Sequence, residues 1–195
     1  MKTTSVRAAA VAAAAAGLAL ALAAAPARAV GRDPAECVAA WLAKLDAGPT
    51  AEDLASCGGD VAGELMRRAE GDAPNGLVRG RAILWLPAFA PDDAVVVLGA
   101  IVGDADEHAY FRAKAMGAAI ALADSHPADV LAMVEVALGA AKDPYVRERA
   151  IDAALRLPGR TALAVLKAHR ARERARWLMP KLKSAVETLE ARPAP

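Results

Sequence analysis

The chain has 195 residues, 56% of them apolar and only 4% aromatic, with a formal net charge of +1. Near-neutral charge argues against a general nucleic-acid binder, and the shortage of aromatic residues requires a core built from small aliphatic side chains. The first element predicted along the chain is a targeting segment. Lys2 and Arg7 precede an apolar, Ala-rich run from Ala8 to Ala25, and Pro26-Ala27-Arg28-Ala29 closes it. This is the charged, apolar and small-x-small order of a secretory signal peptide, with cleavage expected after Ala29. A retained anchor would need a more strongly apolar run than one made mostly of Ala. Cys37 follows Pro34-Ala35-Glu36, which is no lipoprotein signal. Residues 1–29 are therefore read as removed, and the mature chain from Val30 as periplasmic or secreted.

The mature part carries 23 acidic and 21 basic residues, unevenly distributed. Residues 30–140 hold 17 acidic against 8 basic, and residues 141–195 hold 6 against 13. Both cysteines, Cys37 and Cys57, lie near the mature start. In an oxidising compartment such a pair is expected to form a disulfide. Closing a loop of about 20 residues stabilises a fold by roughly 3 kcal/mol in the chain-entropy model. No His falls between residues 30 and 107, so a metal site is not expected around the cysteines.

Helices are predicted near 34–46, 51–57, 60–70, 75–89, 92–102, 107–123, 127–140, 143–157, 161–179 and 180–191. Asp33, Thr50, Asp60 and Asp143 stand at N-cap positions, and Pro34, Pro127 and Pro144 open their helices. Val95-Val96-Val97 would suit a strand equally well; the segment is assigned as helix because Asp93, Val97, Val102 and Gly103 align with Asp129, Met133, Leu138 and Gly139. Those glycines are expected to end their helices. Pro87 and Pro180 should kink or break theirs.

The chain repeats itself. Val78-Arg79-Gly80-Arg81-Ala82-Ile83 returns as Phe111-Arg112-Ala113-Lys114-Ala115-Met116 and again as Val146-Arg147-Glu148-Arg149-Ala150-Ile151. A weaker echo, Ala171-Arg172-Glu173-Arg174-Ala175-Arg176, suggests a truncated or capping repeat. Residues 30–71 match no repeat and are read as a disulfide-linked N-terminal helical cap before repeats spanning 72–195.

The string from Asp143 to Leu155, DPYVRERAIDAAL, resembles the first helix of a HEAT repeat, closest to the variety also found in phycobilisome lyases. The resemblance is strong over 143–157, moderate over 108–122 and loose over 75–89. It implies an all-α, right-handed α-solenoid of about three helix pairs that binds protein partners along its surface. In the family an Asp and an Arg of each unit form a ladder joining successive repeats, so Asp143 and Arg147 become ladder candidates. Asn75 and His108 occupy the equivalent cap position in the other units and leave that ladder incomplete.

Candidate partner-binding residues are the basic series Arg79, Arg112, Arg147 and Arg149, the C-terminal Arg172, Arg174 and Arg176, and the aromatic Tyr110 and Tyr145. For the series, a basic stripe competes with pairing inside the stack, where stems pack on the core. For the C-terminal run, an anionic dock competes with a solvated helix face and Trp177 folded into the last layer. Trp41 is expected beside the disulfide, and Trp85 and Phe89 in the core. Mature-chain serines are Ser56, Ser125 and Ser184, none in a GxSxG elbow. Ser125-His126 reads as a helix start, and no HExxH, CxxCH or Gly-rich phosphate loop is present. No catalytic, cofactor-binding or metal-binding residue is assigned. The expected function is a non-catalytic protein-binding or scaffolding module. The alternatives are a module binding an anionic envelope polymer or membrane surface through its basic C-terminal third, and a lyase-type enzyme.

Overall fold

The structure is a computed structural model and describes residues 33–193. The signal-peptide assignment of residues 1–29 lies outside them. Among the described residues the fold is all-α, as expected, with no strand. The helices are α1 (Pro34–Ala43), α2 (Ala51–Ala55), α3 (Val61–Glu70), α4 (Gly76–Phe89) and α5 (Pro91–Gly103). They continue as α6 (Ala109–Ala119), α7 (Pro127–Ala140), α8 (Pro144–Arg156), α9 (Leu163–Arg170) and α10 (Met179–Glu190), with a 3₁₀ turn at Ile120–Leu122 after α6.

Short polar side chains start most of these helices. Asp33, Thr50, Asp60, Asn75, His108 and Asp143 each accept a hydrogen bond from a first-turn backbone N–H. Such caps satisfy donors that have no partner within the helix. The valine run at 95–97 lies inside α5, where Val97 joins the core. Pro87 sits in the last turn of α4, which closes two residues later at Phe89.

Packing alternates along the chain. Helix α4 packs on α6 and α6 on α8, while α3 packs on α5, α5 on α7 and α7 on α9. Helix α10 packs on α8 and α9, and α1 on α3 and α4. One hydrophobic cluster runs from Val38 to Leu189. Ala82, Ala115, Ala150, Ala153 and Ala154 are fully buried in it, which lets neighbouring helices approach closely. The Cys37–Cys57 disulfide is formed, with Cα atoms 5.6 Å apart. Trp41, Cys57, Trp85 and Phe89 are partly buried against the cluster.

The expected long helix over 161–179 is corrected. Helix α9 stops at Arg170, and residues 171–178 form a non-helical connection. Glu173 explains the break: its Oε1 accepts the backbone N–H groups of Arg174 (2.8 Å) and Ala175 (2.7 Å). A local carboxylate thus takes donors that a continuing helix would use. The echo at 171–176 is consequently no repeat helix, and Pro180 stands in the first turn of α10, at the break expected there.

Candidate functional site

The basic series turns inward. Arg112 is 7% exposed and donates from Nε (3.1 Å) and Nη2 (2.9 Å) to the carbonyl of Val102, at the end of α5. Arg79 donates from Nε to Ala69 O, at the end of α3, at 2.9 Å. Arg147 donates from Nη1 to Ala141 O (2.8 Å) and Lys142 O (2.9 Å), just past α7. Arg81 does the same for α1 through Leu42 O, at 2.9 Å. The last carbonyls of a helix lack intrahelical partners, and a guanidinium satisfies them while opposing the dipole. Helix α5 ends at Gly103 as expected, and α7 one residue beyond Gly139. Neither glycine adopts the left-handed conformation; Arg112 and Arg147 supply the donors at those helix ends.

Two of these arginines also hold a carboxylate from further along the chain. Arg79 donates from Nη1 and Nη2 to Glu107 at 3.1 and 2.5 Å, with its guanidinium 4.3 Å from the Phe111 ring centre. Arg147 donates from Nε and Nη2 to Glu173 at 2.8 and 2.9 Å. Asp143 makes no ladder contact to an arginine of another unit among the described residues: its Oδ1 accepts from Tyr145 N, its own helix start. Sequence reasoning missed Glu107 and Glu173 as partners. Their separations from the arginines, 28 and 26 residues, were the available signal.

Glu173 is the most perturbed group. Its side chain is 1% exposed, and His169 Nε2 lies 2.8 Å from its Oε2. The Arg147 hydrogen bonds outweigh the opposing effect of burial. With the Ala175 N–H and His169 they hold its pKa down at about 2, against an ordinary 4.5. The ionised carboxylate only accepts, so His169 donates from Nε2. A cavity of about 250 Å³ opens beside this network, bordered by Gly139, Arg147, His169, Arg172 and Arg174. Arg172, Arg174 and Arg176 are exposed on the 171–178 connection, not on a helix face.

The aromatic candidates meet elsewhere, in a groove of about 450 Å³. Leu84 of α4, Tyr110 of α6 and Tyr145 of α8 line it, with Ala113, Gly117 and Ile120. Leu84, Tyr110 and Tyr145 are 42%, 45% and 64% exposed. Tyr110 lies against Gly80, where an added Cβ would come within 3.0 Å of its Oη. A Cβ on Gly117 would meet nothing within 4 Å. Trp177 is half exposed, not folded into the last layer, with its ring centre 5.3 Å from that of Tyr145. Lys114 and Arg149 supply charge, the Lys114 amine 5.4 Å from the Tyr110 ring. Arg149 stays half exposed, 3.6 Å from Asp152. Glu148 is held by Lys181 at 3.0 Å.

The Ser125-His126 pair, read from the sequence as a helix start, gains a third member in Asp92. Ser125 Oγ lies 2.8 Å from His126 Nδ1, and His126 Nε2 lies 3.0 Å from Asp92 Oδ1. The chain of atoms resembles a nucleophile relay with the imidazole reversed. Asp92, however, is 92% exposed, where water competes for its carboxylate. The contact ties the start of α7 to α5. Among the described residues no group of three His, Cys, Asp or Glu is placed to hold a metal ion. No described helix is long and apolar enough to cross a membrane.

The chain matches no protein-family model, no curated protein and no solved structure.

Proposed function

We propose that the protein is an exported, non-catalytic module with a HEAT-like, right-handed α-solenoid over residues 72–195, which binds a partner protein in the groove between α6 and α8. The alternating contacts, α4 on α6 on α8 and α5 on α7 on α9, support the stacked-pair reading. The Cys37–Cys57 disulfide supports an oxidising compartment.

The observation that carries the binding reading is the groove itself. Leu84, Tyr110 and Tyr145, from three helices that pack in succession, leave large apolar side chains half exposed around a floor of Ala113 and Gly117. Exposed aromatic anchors with an apolar floor mark recognition surfaces. Of the charges in the lining, Glu148 is engaged by Lys181 and Arg149 faces Asp152, which leaves the Lys114 amine to meet a carboxylate. The occupant that fits is a polypeptide segment with an aliphatic or aromatic anchor flanked by carboxylates.

Selection of displayed random peptides against the purified protein tests this. Enriched sequences should combine an apolar anchor with Asp or Glu, and Gly117→Leu should abolish their binding. A Cβ at Gly117 meets nothing within 4 Å, and replacing Gly favours the helix by about 1 kcal/mol, so the variant is expected to fold with its groove filled. Peptides that bind Gly117→Leu as well as the parent protein would overturn the assignment.

A further inference from the structure

The cavity beside Glu173 is independent of the aromatic groove, and its charges differ in kind. We propose that it is a binding site for a phosphate-class oxyanion, a free phosphate or a phosphate monoester.

Glu173, the acid in its wall, has both oxygens engaged. Oε1 accepts from Arg147 Nη2 and from the N–H groups of Arg174 and Ala175, and Oε2 accepts from Arg147 Nε and His169 Nε2. Its charge is therefore offset by that of Arg147. At the helix ends nearby, Arg147 takes Ala141 O and Lys142 O, and His169 O accepts the N–H groups of Arg172 and Glu173. No free carboxylate is left in the wall to repel an anion.

Two guanidinium groups remain. Arg172 and Arg174 border the cavity, are exposed, and form no ion pair among the described residues. Their joint charge of +2 matches a phosphate monoester, which carries about −1.5 to −2 at neutral pH. Guanidinium forks suit phosphate oxygens in two-point contacts. His169 stands in the same wall, 5% exposed. The wall is held in advance by the Arg147 hydrogen bonds, which lowers the ordering cost of binding. About 250 Å³ accommodates the ion together with a small ester group.

The test is titration of the purified full chain with inorganic phosphate, against chloride at matched ionic strength, by calorimetry and by amide NMR. Saturable phosphate binding is expected, with shifts concentrated at His169, Arg172 and Arg174. The double variant Arg172→Ala/Arg174→Ala should weaken binding at least 10-fold without moving the thermal midpoint. Gly139→Glu should do the same, because its Cβ meets open space and its carboxylate would occupy the cavity. Sedimentation with vesicles of phosphatidic acid, against phosphatidylcholine, separates the sources. Vesicle binding lost in the double variant assigns a lipid headgroup; phosphate binding without vesicle binding assigns a soluble ester. Phosphate that binds no better than chloride, or equally well to both variants, would overturn the proposal.

Discussion

Arg147 and Glu173 meet through two parallel hydrogen bonds of 2.8 and 2.9 Å, from Nε and Nη2 to the two carboxylate oxygens. The contact joins the first turn of α8 to the connection after α9, and the same guanidinium closes the end of α7. Three segments therefore depend on one ion pair.

Its pH dependence follows. The folded pKa of Glu173 is lowered to about 2 from 4.5, so its stabilisation is fully present above pH 4.5 and is lost as pH falls towards 2. The loss should amount to about 3 kcal/mol across that window. Glu173→Gln should be less stable than the parent at pH 7, by about 3 kcal/mol, because the part-buried Arg147 loses the charge that compensates it. It should also show a flatter decline in acid. Urea denaturation at several pH values checks both.

Arg112 gives a second prediction. Arg112→Ala leaves Val102 O without its two donors and removes a buried stem, at a cost of about 2–3 kcal/mol. Arg176→Ala, on the exposed connection, should change stability by less than about 0.5 kcal/mol. Thermal denaturation of the two variants side by side distinguishes them.

Much of this fold was legible along the chain. The caps Asp33, Thr50, Asp60, Asn75, His108 and Asp143 announce their helices locally, and the Cys37–Cys57 pairing follows from spacing and compartment. The end of α9 was not legible, because Glu173 takes its conformation from Arg147, 26 residues earlier. Similarly, the arginine repeat was visible, but not that its guanidinium groups would close the preceding helices. Tyr110 and Tyr145 could be picked out by their repeat positions. Leu84 and Gly117 could not, since only the packing of α4, α6 and α8 brings them to the same groove.

The disulfide provides a third prediction. Replacing Cys37 and Cys57 together by Ser should cost about 3 kcal/mol, measured as a lower urea midpoint. Reductant should lower the parent's midpoint similarly and leave the variant's unchanged.

Gly80 links packing to binding. An added Cβ would lie 3.0 and 3.1 Å from Tyr110 Oη and Cε1, so the half-exposed ring must shift. The helix gains about 1 kcal/mol from Gly80→Ala, which offsets the displacement and leaves stability within about 1 kcal/mol. Affinity for groove-selected peptides should fall severalfold, as calorimetry would record.

The binding assignment is tested most directly by a photo-crosslinking residue at position 145, compared with one at the exposed Val96 of α5, in the producing cell. The groove reading predicts one dominant protein adduct from position 145, absent from position 96. Its crosslinked peptide should map to a segment with an apolar anchor and flanking carboxylates. No adduct from position 145, or the same adducts from both positions, would contradict it.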